Sequence, residues 1–399
     1  FRSLIMNKKL SIAYFFDNFF PQINGVVTSS INTANEMVKR GHSVIAVAPY
    51  TRPFENYQDD FFPHPLILQN GFEAAFYPDF IFTYPFSGKV FKSIKNFKPD
   101  IIHFHAPFTI GYQGIRIANI LKIPVIGTFH TFFAEPEYLK VINMEKSKLL
   151  KNIGWWYSNE FFDRCDEVVS PGIATADFLI KENLKTPVSI ISNGVEVDKY
   201  RNFNFTNNFP IQIDDSCNYL IFVGRISEEK CLPVLFKSIE IIKSKFDNIR
   251  LIVVGGGPLL EKYKKMISDN NLDKYIKFTG MVPNKILLES GVLTKMKMFV
   301  TPSTSENQPM TIIESIMFGL PIVGANAKGN PELIEDNGFK TKPNDSEDMA
   351  EKILTLLNNE ELRSQFSKKS IELREKYNIV NTSNKMEELY YKVISNFNK

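Results

Sequence analysis

Apolar residues in this chain come in short unbroken runs, separated by glycine-bearing loops and by stretches with helical spacing. Residues 10–16 (LSIAYFF) predict a buried strand. A loop with Pro21 and Gly25 follows, then a helix over 26–40 ended by Gly41, then a strand over 43–48. Further strands are predicted at 101–104, 125–129, 167–170 and 189–192. Runs of Val, Ile and Phe without polar alternation belong to strands covered on both faces, hence to a parallel sheet flanked by helices. Residues 201–218, rich in Asn, Asp and Phe, read as a linker. The rhythm then restarts: strand 219–223, helix 232–246, and strand 250–254 running into Gly255-Gly256-Gly257-Pro258. Strands near 276–279, 298–301 and 322–324 continue it, and from Ser346 onward only helices are expected. The pattern predicts an α/β fold of two Rossmann-like, doubly wound parallel-sheet domains, residues 1–200 and 201–375, with a helix over 376–399 packing back on the first. Open parallel sheets bind ligands at the carboxyl ends of their strands, so the cleft between two such sheets is the expected site.

Composition narrows the partners. The chain has 399 residues, 44% hydrophobic and 23% charged, ordinary for globular proteins. Forty-seven Lys and Arg against 44 Asp and Glu leave a net charge of +3, which argues against a nucleic-acid partner. Cys165, Cys217 and Cys231 are odd in number and lack metal-ligand spacing, as expected in a reducing cytoplasm. No apolar run reaches the ~18 residues that span a bilayer. The opening FRSLIMNKK has no apolar core of a signal peptide, and Met6 is the expected start. Thirty-five Phe exceed ordinary usage. The plain reading is a compositional bias toward Phe, Ile, Asn and Lys; the sharper one is that some Phe touch lipid.

Four segments carry candidate chemistry. In 302–324 (PSTSENQPMTIIESIMFGLPIVG), Pro309 suits the first turn of a helix over 310–318 that Gly319 ends. Glu306 then lies on the loop before the helix and Glu314 inside it. The amides of Asn307, Gln308 and Met310 leave its amino end, where an anionic phosphate is favoured. Two acids flanking such a tip suit a sugar nucleotide, one accepting from sugar hydroxyls and the other from ribose; the spacing equally fits a capped surface helix. Second, Val223-Gly224-Arg225 ends a strand and Lys230 follows beside the next helix. Two fixed cations there could stabilise charge growing on a leaving diphosphate, or form an ordinary basic loop. Third, Gly25 after the first strand lets backbone approach phosphate oxygens, or makes a plain turn. Fourth, His130 in Gly127-Thr128-Phe129-His130-Thr131 ends a strand, and His103 and His105 lie at another strand end on alternating faces.

Together these elements resemble the retaining family-4 glycosyltransferases of the GT-B fold, over nearly the whole chain. The combination of Glu-x7-Glu, Gly-x-Pro-Ile-Val-Gly, Val-Gly-Arg and Lys230 carries the resemblance. The segments HFHAPFTIG (103–111), GTFHT, WYSNEFFDRCD (156–166) and Asn193-Gly194-Val195 look most like its lipid-directed members, the diacylglycerol glucosyltransferases and phosphatidylinositol mannosyltransferases. The resemblance implies that Arg225 and Lys230 hold the donor diphosphate and Glu314 the ribose. It implies that Glu306 binds the transferred sugar, His130 sits at the reaction centre, and Gly25 closes over the phosphates. Gly256, Asn307, Gln308 and Met310 complete the donor set, and Asp17 and His105 are acceptor-side candidates. Two departures stand out. Glu306-Asn307-Gln308 replaces the Glu-Gly-Phe of many members, which leaves donor identity open, and no tryptophan occurs over 377–385.

No Asp-x-Asp occurs, so a metal is not expected to be required, nor any other cofactor. Lys89, Lys92, Lys95 and Lys98 trace one helical face, with Val90, Phe91, Ile94 and Phe97 on another. Such a helix is a candidate contact for an anionic membrane, through Lys89, Phe91, Lys92 and Lys95. Lys140, Lys146, Lys148 and Lys151 around Trp155 and Trp156 could extend it. The expected activity moves a hexose, UDP-glucose being the preferred donor, to a membrane lipid such as diacylglycerol, on the inner face of the cell membrane. The alternatives are the same chemistry on a soluble or polysaccharide acceptor, GDP-mannose as donor, or a non-catalytic protein that binds sugar nucleotides.

Overall fold

The computed structural model describes residues 8–19, 25–50, 62–73, 81–130, 148–200, 204–206 and 208–398, with the side chains of 148–152 outside that set. The chain divides into two compact units. One takes the described residues up to Val195 together with those from Asn378 on; the other is Glu196–Tyr377.

The first unit is built on a seven-stranded parallel sheet. Its strands are β1 (Ser11–Phe15), β2 (Ser43–Pro49), β3 (Leu66–Gln69), β6 (Ile101–Phe104), β7 (Val125–Thr128), β8 (Glu167–Ser170) and β9 (Val188–Ile190), in the order β3-β2-β1-β6-β7-β8-β9. The remaining two, β4 (Gly71–Glu73) and β5 (Ile81–Thr83), form a separate antiparallel pair. Ile12, Tyr14 and Phe16 face the helices Gly25–Lys39 and Ile379–Phe397 on one side. Ala13 and Phe15 face Gly88–Phe97, Thr109–Leu121 and Lys148–Phe162 on the other. Burial on both faces is why these runs show no alternation.

The C-terminal helix packs on the first unit. The chain rejoins it where Ile379 N–H meets the Val195 carbonyl at 2.8 Å. Arg40 then ties the helix down, donating to Asn384 at 2.6 Å, Glu387 at 2.9 Å and the Val380 carbonyl at 2.6 Å.

The second unit has a six-stranded parallel sheet of β10 (Asn218–Val223), β11 (Ile249–Val254), β12 (Ile276–Gly280), β13 (Met296–Thr301), β14 (Ile322–Ala325) and β15 (Gly338–Thr341). Its order is β12-β11-β10-β13-β14-β15. The strand order of each sheet reverses once, between β1 and β6 in the first unit and between β10 and β13 in the second, while all strands stay parallel. At such a switch point the flanking connections leave on opposite faces and open a crevice outside the strand ends. Strands β3 and β15 and the β4–β5 pair were not among the predicted elements.

Candidate active site

In the second unit, the loops leaving β10 and β13 meet at the switch point. After β10 the chain passes Gly224 and the exposed Arg225 and makes a 3-10 turn, Glu228–Lys230, before the helix Leu232–Lys243. The Ile226 amide donates to the Gly256 carbonyl at 2.8 Å, which places Gly256 against this loop. Gly255, at φ +143, lies so close to the Gly224 carbonyl that a side chain there would collide with it. From the β13 side comes Glu306. Its Oε1 accepts from Lys230 Nζ at 2.5 Å and from Ser303 Oγ at 2.9 Å. Both charged side chains keep less than a fifth of their surface, 17% for Lys230 and 18% for Glu306.

The loop carrying Glu306 is braced from behind. The Gly329 amide donates to the Glu306 carbonyl at 2.9 Å, and a Cβ at Gly329 would run into the Asn307 carbonyl. Buried Asn330 donates to the Ser303 carbonyl at 2.8 Å. Asn307 and Gln308 are themselves buried, and Met310 is the first residue of the helix Met310–Met317. Pro309, expected in the first turn, is instead its N-cap, with ψ 119, because the chain enters from an extended loop; Gly319 ends the helix at φ +72. Glu314 is 6% exposed and burial pushes its carboxyl up to about 7, against the pull of an Asn284 Nδ2 donor 2.9 Å away. Sequence reasoning missed Ser303, Asn330 and Asn284, none of which carries a motif of its own.

The first unit gathers its candidates likewise at the ends of β1, β6 and β7. Gly25 is the first described residue of helix Gly25–Lys39. His103 and His105 stand on the same face, with ring centroids 4.3 Å apart, correcting the expectation of alternating faces: residues two apart on a strand point the same way. His103 contacts the Tyr390 hydroxyl and Thr128 Oγ1, each at 2.7 Å. His105 Nδ1 lies 3.0 Å from both His130 Nε2 and Ser30 Oγ. Desolvation holds His103 and His130 down near about 3 and His105 well below its ordinary range, so all three imidazoles are neutral. Asp17 is buried. Its carboxyl accepts from the amides of Ile110 at 2.7 Å and Gly111 at 2.8 Å, capping the helix Thr109–Leu121, whose own N-cap residue Phe108 supplies no side-chain acceptor. Asp17 thus has a helix-capping role in the structure, and burial pushes its carboxyl up to about 7.

Helix Gly88–Phe97 buries Val90 and Ile94 and exposes Lys89, Lys92 and Lys95. Phe91 is half-buried, one side against the apolar core, and the exposed Phe86 ring lies beside it with centroids 6.1 Å apart. Trp155 is buried and Trp156 is 65% exposed. Lys140 and Lys146 lie outside the described residues, as do the side chains of Lys148 and Lys151. Phe15, Phe16, Phe62, Phe104, Phe129, Phe162, Phe222 and Phe299 are fully buried, so core packing takes much of the Phe excess.

Two family models match. Residues 23–199 match "Glycosyltransferase Family 4", and residues 204–373 match "Glycosyl transferases group 1". Over 87% of the chain it is 28% identical to 78% of an alpha-monoglucosyldiacylglycerol synthase of Streptococcus pneumoniae. Over 90% it is 23% identical to 91% of the Acholeplasma laidlawii enzyme of the same name. Over 93% it is 27% identical to 71% of the sulfoquinovosyl transferase SQD2 of Arabidopsis thaliana. Among solved structures, Anabaena Alr3699/HepE in complex with UDP-glucose superimposes with a TM-score of 0.73 at 17% identity, covering 95% of this chain and 99% of that one. Sucrose-phosphate synthase from Thermosynechococcus elongatus does so with a TM-score of 0.77 at 16% identity, covering 97% of this chain and all of the other.

Proposed function

The chain belongs to the GT-B glycosyltransferases, family 4 in its first half and group 1 in its second, and we propose that it transfers glucose from UDP-glucose to diacylglycerol in a membrane. The observation that carries this reading is the Lys230–Glu306 pair at the switch point of the second sheet, with buried Glu314 on the helix that follows. The similarity to two monoglucosyldiacylglycerol synthases supports the choice of donor and acceptor.

Lys230, Arg225 and the amides at the start of helix Met310–Met317 take the diphosphate, with no metal ion required. A diphosphate that engages Lys230 competes with Glu306 for it, and Glu306 is then available to accept from hydroxyls of the sugar. Glu314 accepts from the ribose, and Gly256 brings backbone close to the phosphates. As the bond from C1 to the diphosphate oxygen breaks, negative charge grows on the leaving group, and cations placed beside it stabilise that growth more than the ground state. The acceptor hydroxyl oxygen bonds to C1 on the face the diphosphate leaves, and its proton passes to the departing phosphate oxygen, which retains the configuration. His130 serves the reacting sugar.

Lys89, Lys92 and Lys95 hold the protein peripherally on the anionic inner face of the membrane, at about 1 kcal/mol per cation. The test is incubation of the chain with labelled UDP-glucose and vesicles of phosphatidylglycerol and diacylglycerol in EDTA. The expected product is an α-glucosyl lipid with UDP released, and Glu306→Gln abolishes it. Label found only on soluble or polysaccharide acceptors, or transfer from GDP-mannose but not UDP-glucose, overturns the acceptor or the donor assignment respectively.

A further inference from the structure

The contacts around His105 fit an arrangement of protons that leaves no N–H of its ring orphaned. Ser30 Oγ lies 2.7 Å from the Val26 carbonyl, one turn back in helix Gly25–Lys39. A carbonyl only accepts, so the single hydroxyl proton of Ser30 is spent there. The 3.0 Å contact between Ser30 Oγ and His105 Nδ1 is then a hydrogen bond only if His105 Nδ1 carries hydrogen. That hydrogen also faces His130 Nε2, 3.0 Å away, which must therefore be bare and accept. The other nitrogen of His105, Nε2, is buried with no partner among the described residues. In this arrangement it is a lone pair, and an orphaned acceptor is tolerated better than an orphaned N–H.

We propose that Ser30 and His105 are positioning residues that lock His130 in the tautomer with its proton on Nδ1, so that it meets a sugar hydroxyl or phosphoryl oxygen as a neutral hydrogen-bond donor and not as a base. The inference rests on the reading that His130 serves the reacting sugar, and deepens it. Its Nε2 lone pair is filled by the His105 N–H, so it cannot take a proton there without breaking that bond. A charged His130 would set N–H against N–H, in line with the burial that keeps both rings neutral. The groups around the pair are Ser30 on the first helix, Tyr14 on β1, and His103 with Tyr390 behind it.

The lock is read by nitrogen NMR of the 15N-histidine-labelled full chain, with His130 assigned by its loss in His130→Gln. The expected spectrum has a pyrrole-type Nδ1 and a pyridine-type Nε2 at His130; a protonated Nε2 overturns the proposal. Turnover supplies the second arm. His105→Phe should lower kcat about tenfold to a hundredfold with the donor KM nearly unchanged, as for a slightly misplaced reacting group. His105→Asn, whose amide N–H can stand where Nδ1–H stood, should restore most of it. Wild-type kcat in the Phe variant, or an Asn variant as impaired as Phe, contradicts the lock. Wild-type turnover of His130→Ala alongside the expected spectrum overturns instead the place of His130 at the sugar, and with it the lock's catalytic purpose.

Discussion

Replacing Glu314 by Gln should make the free protein more stable above neutrality while weakening its hold on the donor. Glu314 is buried, and its carboxyl titrates at about 7 against an ordinary value near 4.5. The folded state therefore binds this proton more tightly than the unfolded chain does. The stabilisation from proton uptake is fully present below about pH 4.5 and is lost as pH rises through 7. Across that interval, at 1.36 kcal/mol per pH unit, the cost of ionisation reaches on the order of 3 kcal/mol. Gln keeps an oxygen for Asn284 Nδ2 and has nothing to ionise. The variant and the wild type should therefore be equally stable near pH 4.5, and the variant up to about 3 kcal/mol more stable at pH 8.5, roughly 2–4 °C in Tm per kcal/mol for a unit of this size. On the proposed donor site, the same change removes a charged acceptor from the ribose. Losing one charge-assisted hydrogen bond costs about 1.5–3 kcal/mol, so UDP should bind roughly ten- to a hundredfold more weakly. Melting curves at both pH values, with and without UDP, read both effects. A variant no more stable than wild type at pH 8.5 refutes the desolvation argument, and an undiminished UDP-induced shift refutes the ribose role.

Other outcomes follow from the same geometry. Arg225→Ala should lower kcat/KM by about 3 kcal/mol of transition-state stabilisation, measured by steady-state transfer, and an unchanged rate counts against the clamp. Gly329→Ala should disorder the loop bearing Glu306, because its Cβ meets the Asn307 carbonyl; loss of activity at a modest drop in Tm is expected, and full activity would show that the loop yields freely. Asp17→Ala should destabilise the first unit by about 1–2 kcal/mol through loss of a helix cap, read by urea unfolding, with Asp17→Asn milder. Changing Lys89, Lys92 and Lys95 together to Gln should weaken binding to anionic vesicles by about 3 kcal/mol in sedimentation at low salt. Equal sedimentation of the triple variant and wild type removes that helix from the membrane contact.

Much of this architecture was readable from the runs of Val, Ile and Phe, because strands buried on both faces need no alternation. The strands that escaped notice are short and lie at sheet edges. Gly338–Thr341 is half-buried and mixed in polarity, and Gly71–Glu73 is exposed along its length. The order of Glu306, helix and Glu314 was legible because Pro309 and Gly319 punctuate it. What could not be read is who meets whom. Lys230 reaches Glu306 across 76 positions, Ser30 reaches His105 across 75, and Asp17 caps a helix 93 residues on. Those partnerships depend on strand order, and strand order leaves no local trace in sequence. The His-x-His error was of another kind, since the period of a strand already places both rings on one side.

The central claim, a nucleoside diphosphate gripped by cations and peptide amides of the second unit, is tested most directly by calorimetric titration of UDP into the full chain in EDTA. Saturable binding that survives the chelator and is lost in Lys230→Ala is the predicted result. Binding that vanishes with the chelator and returns with a divalent cation, or that is indifferent to Lys230, would contradict it.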